Sequence, residues 1–137
     1  MGVDTLDDAI SAAAFDPLKW RDVCDLFATA TRSVGARINP SIAELAGTFT
    51  VCSQSIAEAE RIYVSEQWHL RDVRYRGARR IHTHGWLTDE HSVEYDEVSR
   101  IDYYQDFLKR TKLKWFAGVG FGPTGGEWVV SIQRSEN

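Results

Sequence analysis

The fold is decided by the stretch Leu113-Lys114-Trp115-Phe116-Ala117-Gly118-Val119-Gly120-Phe121, whose side chains alternate between two faces as they do in a β-strand. The run Trp128-Val129-Val130-Ser131-Ile132-Gln133 alternates in the same way, and the glycine-rich residues 122–126 between the two runs predict a hairpin loop. Gly118 and Gly120 fall on one face of the first strand, which usually means that another group approaches the backbone closely. That group is either a helix or a ligand.

Three further strands are predicted upstream of the hairpin. Residues 35–39 and 47–53 are short β-branched or alternating runs, and residues 79–84 supply the third run. Together with the hairpin strands, near 113–121 and 127–134, they predict a five-stranded, mostly antiparallel sheet. Residues 41–46 form either a loop or one helical turn.

Four amphipathic helices are predicted around the sheet, which makes the fold class α+β. The first covers the first dozen residues of the chain, the second ends near Thr31, and the fourth ends at residues 109–110. The predicted capping residues of the last three helices are, in chain order, Asp16 followed by Pro17, Ser55 with Glu58 three residues on, and Ser99 with Asp102.

Length and composition limit the function classes. The 137 residues suit one domain with a real core, and 43% apolar with 26% charged residues is the balance of a folded, soluble protein. The formal net charge of -4 argues against general nucleic-acid binding by this chain. Cys24 and Cys52 lie in apolar runs where a reduced thiol behaves as a small hydrophobe, which favours the cytoplasm. No stretch approaches the roughly 20 apolar residues of a membrane span.

The stretch Tyr63-Val64-Ser65-Glu66-Gln67-Trp68-His69-Leu70-Arg71-Asp72 is the candidate functional segment, because it brings aromatic rings and a carboxylate to the end of the third helix. Apolar walls with few polar anchors are typical of a small-molecule pocket. An aromatic core edge with an exposed aspartate has the same pattern. Both interpretations stay open on the sequence.

Two other clusters carry weaker signals. Residues 71–80 hold five arginines and one tyrosine, which is either a solvated, salt-bridged face or a grip for phosphates, and the many acidic residues downstream favour the first. His82, His84, Asp89 and His91 are close in sequence, but their spacing matches no specific metal motif, so no metal site is predicted.

The chain resembles the N-terminal sensor domain of LuxR-type helix-turn-helix transcriptional regulators. The resemblance lies in residues 9–20, in Trp68-His69-Leu70-Arg71-Asp72-Val73-Arg74, in residues 102–108, and from 113–120 to 131–134, so it spans nearly the whole chain. It implies a GAF- or PAS-like fold, with an antiparallel sheet, helices on both faces and a cavity between sheet and helices. It also implies a single sensor domain over residues 1–137, whose DNA-binding helix-turn-helix is absent from this chain.

The resemblance also implies a ligand site. Tyr63, Trp68 and Asp72 are similar to the tyrosine, tryptophan and aspartate of the autoinducer-binding branch, in which the aspartate accepts a hydrogen bond from the amide of an acyl-homoserine lactone. Trp86 is similar to the branch's second tryptophan. Val73 stands where that branch has proline, so the resemblance implies a regulatory ligand without naming it. The full predicted ligand-binding set is Tyr63, Trp68, Asp72, Trp86, Tyr104 and Trp115.

Two function classes follow. The first is a sensor that binds a small, partly apolar signal molecule and forms a homodimer. Ligand binding shifts the population of its conformations, and the attached DNA-binding domain responds to that shift. This function needs no cofactor, no membrane and no catalytic residue. The second is a structural dimerisation module of a regulator with no functional pocket. An enzyme ranks third, because no nucleophile elbow or paired-carboxylate signature is present. A cavity of roughly 300 Å³ or more favours the sensor, and a filled core favours the dimerisation module.

Overall fold

The computed structural model describes residues 3–45 and 50–135, and they form an α+β fold around one five-stranded antiparallel sheet. The strand order is β2-β1-β5-β4-β3, and each neighbouring pair is antiparallel. The strands are β1 Gly35–Pro40, β2 Val51–Cys52, β3 Trp86–Thr88, β4 Trp115–Phe121 and β5 Trp128–Arg134. The predicted strands near 35–39, 113–121 and 127–134 are confirmed, as is the part of 47–53 that lies among the described residues.

The helices are α1 Val3–Phe15, α2 Trp20–Ala30, α3 Ala57–Ser65, α4 Ala78–His84 and α5 Lys109–Thr111, the last preceded by a π-helical segment, Tyr103–Leu108. Short 3-10 turns connect them at Pro17–Lys19, Ala43–Leu45, Gln54–Ile56, Trp68–Leu70, Val73–Gly77, Asp89–His91 and Tyr95–Arg100. Within the described residues, no helix has the length and apolar character needed to cross a membrane.

The strand predicted at residues 79–84 is wrong, because these residues form α4. Gly85 ends this helix in the left-handed conformation, at φ 82°, and its N–H bonds to the carbonyls of Arg80 and Ile81. The third strand, β3, starts immediately after it at Trp86. His82 and His84 therefore lie on a helix and do not share a strand face.

The helix starts are partly as predicted. The Asp16 side chain accepts a hydrogen bond from the Leu18 N–H at 3.1 Å, and the turn it caps leads into α2, as predicted. The cap at Ser55 is wrong, since its hydroxyl donates to the Val34 carbonyl at 2.6 Å and α3 begins at Ala57. Ser99 is also not a cap, because it lies inside the 3-10 turn Tyr95–Arg100.

Helices pack on both faces of the sheet. On the outer face, Ala36 and Ile38 of β1 pack with Cys24 and Ala28 of α2. The inner face of β1 and β5 carries polar residues, Arg37, Asn39, Ser131 and Gln133, and all four are buried. Opposite them lies an aromatic cluster from α3, the turn Trp68–Leu70 and the segment 103–108, which consists of Tyr63, Trp68, Tyr103, Tyr104 and Phe107.

The close approach predicted at the β4 glycines is made by a helix. A Cβ on Gly120 would lie 2.5 Å from Cγ2 of Ile81, in α4, and 2.8 Å from the carbonyl oxygen of Gly125. Gly118 lies against Val129 and Leu87. The glycine at 120 therefore lets α4 approach the inner face of the sheet.

Candidate functional site

A cavity of about 80 Å³ lies between the inner face of the sheet and the helices α3, α4 and 103–108. Aromatic and aliphatic side chains form most of its wall, and charged groups form one side. The charged and amide side chains that line it are Arg37, Asn39, Glu60, Asp72, Arg74 and Gln133. The aromatic ones are Tyr63, Tyr75, Tyr103, Phe107 and Phe116.

The strands supply polar groups to the cavity because alternate residues of β1 and β5 point to the same face. Arg37 pairs with Ser131 and Asn39 with Val129 in the antiparallel register. The Asn39 amide donates to the Pro40 carbonyl at 2.7 Å and to the Tyr75 hydroxyl at 3.2 Å. These buried polar groups are therefore hydrogen-bonded, as buried polar groups must be to avoid a desolvation cost.

Tyr63 and Asp72 meet at the edge of this cavity. The Tyr63 hydroxyl donates to Oδ2 of Asp72 at 2.8 Å, and Oδ1 of Asp72 accepts the Arg74 N–H at 2.9 Å, which caps the turn Val73–Gly77. Burial raises the pKa of the Asp72 carboxyl above its ordinary value of 3.8, although the charge of Arg74 opposes the shift. A carboxylate offers about four lone-pair positions, so two partners leave room for a ligand donor.

Arg37 and Glu60 form a second polar feature of the wall. Nε of Arg37 donates to Oε2 of Glu60 at 2.8 Å and Nη2 donates to Oε1 at 3.2 Å, and the two side chains are only 10% and 16% exposed. The guanidinium also lies 4.5 Å from the ring centroid of Tyr63. This bidentate pair joins β1 to α3 and places the Arg37 guanidinium over the Tyr63 ring.

Arg74 and Asp89 form a buried pair that holds the site together. Nε of Arg74 donates to Oδ1 of Asp89 at 3.0 Å, and both side chains are 6% exposed. The other guanidinium N–H groups go to the Tyr103 hydroxyl, the Gln133 amide oxygen and the Lys114 carbonyl. Asp89 also accepts bonds from the Phe116 N–H at 2.7 Å and from the hydroxyl of Tyr104. The pair thereby fixes the turn at residue 74 to strands β4 and β5.

Of the six predicted ligand residues, the structure brings Tyr63 and Asp72 to the cavity. Trp68 is 2% exposed but packs against Tyr103 and Phe107, and its indole N–H donates to Glu66 at 3.0 Å. It is therefore a core residue and does not line the cavity.

The remaining three predicted residues also lie outside this cavity. Trp86 is 47% exposed on the outer side of β3, since strand alternation turns Leu87 and not Trp86 toward the cavity. Tyr104 is buried against Asp89, and Trp115 packs on Tyr104 with ring centroids 6.3 Å apart. Each of these side chains stabilises the fold near the site.

The arginine cluster does not form a continuous basic patch. Arg74 is buried, Arg76 pairs with Glu97 at 3.4 Å, and Arg71 and Arg80 lie over the rings of Trp68 and Trp86. Among residues 3–45 and 50–135, no group of three or more His, Cys, Asp or Glu side chains is placed to hold a metal ion.

A second depression, of about 330 Å³, lies between the segment 98–114 and Ser135. Its polar lining residues are Tyr104, Gln105, Lys109, Lys112, Lys114 and Ser135. The charged groups of the first cavity are held in place by hydrogen bonds, as a preorganised site requires. The smaller cavity is therefore the better candidate site.

Comparisons of the chain with protein-family models, with curated proteins and with solved structures find no match. The function is therefore inferred from the geometry and the chemistry of the cavity.

Proposed function

We propose that this chain is the ligand-sensing domain of a LuxR-type transcriptional regulator, and that it binds a small signal molecule in the cavity between α3 and the inner sheet face. The observation that carries the proposal is the composition of the cavity wall. Five aromatic side chains surround it, and its charged groups are held in place by hydrogen bonds. A mostly apolar wall with a few fixed polar groups is typical of a small-molecule site.

Asp72 is the polar anchor in this proposal. Its carboxylate is fixed by Tyr63 and by the Arg74 N–H, and it lines the cavity. A hydrogen bond from the ligand to such a carboxylate is worth about 1.5–3 kcal/mol. The apolar part of the ligand rests against Tyr63 and Phe107, rather than against Trp68 and Trp86.

The volume limits the size of the ligand. A cavity of about 80 Å³ is well below the roughly 300 Å³ of a site for a drug-sized molecule. It holds a molecule of only a few heavy atoms, since one water needs about 10–15 Å³ of such cavity space. A longer apolar tail requires the side chains of Ile56 and Leu113, which line the cavity, to move.

Ligand binding in the cavity is transmitted by a shift in the populations of the domain's conformations. Tyr63 and Glu60 lie on α3, so a ligand bound against them stabilises one position of that helix relative to β1. In the proposed regulator, a homodimer in the cytoplasm carries this shift to a helix-turn-helix domain that binds DNA. No residue of this domain has to perform chemistry, and no cofactor is required.

Native mass spectrometry of the protein purified from its own host tests the proposal. The expected spectrum contains a species heavier than the chain by one small molecule, and Asp72→Asn reduces its fraction by about ten-fold. Asp96→Asn is the matched control, because Asp96 is an exposed acid outside the cavity. Loss of the extra mass in the control as well as in Asp72→Asn contradicts the assigned site.

The second candidate is a dimerisation module without a functional pocket. It is favoured by the small cavity volume and by Phe15 and Leu18, which are 93% and 89% exposed. Exposed large apolar side chains that adjoin one another are favoured at interaction surfaces. If Phe15→Ser with Leu18→Ser abolishes a dimer seen by light scattering, and the wild-type chain carries no ligand from its host, this second function is favoured.

A further inference from the structure

We propose, building on the sensor function, that the cavity selects a small organic amine, whose ammonium group pairs with Asp72 and whose short carbon chain lies against the aromatic wall. The proposal rests on the pairing of charges around the cavity and on the aromatic rings that enclose it.

Each guanidinium group that lines the cavity already has a carboxylate partner. Arg37 is paired with Glu60, and Arg74 is paired with Asp89. Asp72 is a third carboxylate, and its direct partners are the neutral Tyr63 hydroxyl and the Arg74 backbone N–H. The cavity wall therefore carries two guanidinium groups and two carboxylates, because Asp89 does not line it, but both guanidinium groups are already engaged in ion pairs and Asp72 is not.

Asp72 is the lining carboxylate without a direct ion pair. Among the described residues, Asp72 forms no ion pair with a cationic side chain. Burial raises the pKa of Asp72, and the positive charge of Arg74 opposes that rise without a direct ion pair between the two side chains. The N–H groups of the Arg74 guanidinium donate instead to Asp89, Tyr103, Gln133 and the Lys114 carbonyl. Asp72 is half-buried at the cavity wall, and a carboxylate partly withdrawn from water is stabilised by a cationic partner, so a cationic ligand group is favoured at this position.

The aromatic wall also suits a cation. The cavity is lined by Tyr63, Tyr75, Tyr103, Phe107 and Phe116. Two resident cations already use such contacts, since the Arg37 guanidinium lies 4.5 Å from the Tyr63 centroid and that of Arg74 lies 4.4 Å from the Phe116 centroid. An ammonium group near the face of a ring gains a further cation–π attraction, and aromatic cages are a known means of binding amines.

Other charge classes fit less well. A carboxylate ligand would compete with Glu60 for Arg37, which Glu60 already engages through two hydrogen bonds. It would also place a second unpaired carboxylate beside Asp72. A neutral alcohol would bond to Asp72 but would leave its charge unpaired. The volume of about 80 Å³ restricts the amine to a few carbon atoms.

The test compares three probes of one size and different charge: propylammonium, 1-propanol and propionate. Their dissociation constants are measured by titration followed by NMR of the wild-type chain at neutral pH. We expect propylammonium to bind at least about ten-fold more tightly than 1-propanol, and propionate to bind more weakly than either. Equal binding of the three probes, tighter binding of the alcohol or the acid, or no binding of propylammonium overturns the proposal.

Two single-residue variants test whether Asp72 is the source of the preference for the amine. Asp72→Asn is expected to lower the affinity for propylammonium to about that for 1-propanol, while Asp96→Asn, which removes the same charge at an exposed site, leaves the preference unchanged. A preference that survives Asp72→Asn also overturns the proposal. If 1-propanol binds in the cavity as well as the amine does, only the amine selectivity fails, and the sensor function stands. The wild-type comparison needs no variant to fold.

Discussion

The hydroxyl of Tyr63, on α3, donates a 2.8 Å hydrogen bond to Oδ2 of Asp72, which lies nine residues later in the turn after that helix. This bond ties the helix to the residue that anchors the proposed ligand. The Tyr63 ring is 3% exposed, so water cannot replace the hydroxyl easily.

Tyr63→Phe is therefore expected to reduce the free energy of unfolding by about 1–3 kcal/mol, since a hydrogen bond from a buried hydroxyl to a half-buried carboxylate is lost while the ring packing is kept. Urea denaturation measures the change. Tyr95→Phe is the control, because Tyr95 is 84% exposed, and it should have no effect. Equal stability of Tyr63→Phe and the wild type would show that this bond adds nothing to the fold.

The second prediction concerns the pH dependence of stability at Asp72. Because burial raises the pKa of this carboxyl above 3.8, the folded chain holds the proton more tightly than the unfolded chain does. The stabilising contribution of the protonated carboxyl is complete below the unfolded pKa and is lost as the pH rises through the folded pKa. Asp72→Asn cannot titrate, so its stability relative to the wild type should rise as the pH is increased from about 4 toward neutrality.

Urea denaturation of both proteins over that pH range provides the measurement. Asp96→Asn, an exposed substitution of the same kind, corrects for the change in net charge. If Asp72→Asn instead becomes less stable relative to the wild type as the pH rises, the pKa of Asp72 is lowered in the folded chain.

The third prediction concerns the buried pair of Arg74 and Asp89. Arg74→Met leaves the Asp89 carboxylate buried without its cation, so the free energy of unfolding should fall by about 3–5 kcal/mol. Arg110→Met is the comparison, because the Arg110–Glu66 pair is exposed, with side chains 44% and 42% accessible, and its loss should have a far smaller effect. Similar losses in the two variants would mean that Arg74 is not structurally important.

The fourth prediction concerns the two cysteines. Burial raises the pKa of the Cys24 thiol to about 12 and that of Cys52 to about 11, so very little thiolate is present at neutral pH. We expect a disulfide reagent such as DTNB to react with neither cysteine in the folded chain and with both in denaturant. Rapid reaction of one equivalent under native conditions would show that one thiol is reached without unfolding.

Much of the fold could be predicted from local patterns. The alternation of residues 113–121 and 128–133 reports strand geometry directly, and Asp16 with Pro17 reports a helix start. The error at 79–84 arose because α4 is short and buries only Ile81, so it has no clear helical stripe. Gly85, which ends this helix in the left-handed conformation, was the local signal for the correct assignment.

The site was less predictable, because its pairs join residues far apart in sequence. Tyr63 and Asp72 are nine residues apart and could be found together, whereas Arg37 and Glu60 are separated by 23 residues. Polar residues that alternate with apolar ones in a strand normally face solvent. Arg37, Asn39, Ser131 and Gln133 face a cavity instead, and only the packing of helices on both sheet faces reveals it.

The most direct measurement of the central claim follows the methyl resonances of the chain by NMR while propylammonium is added. Ile56, Ile81 and Leu87 line the cavity, whereas Ile38 and Val130 pack on the outer sheet face. If the cavity is the ligand site, the first three methyl groups shift in a saturable way and the last two do not. Saturable shifts confined to the outer face, or no saturable shift with any of the three probes, would contradict the claim that this cavity binds a small molecule.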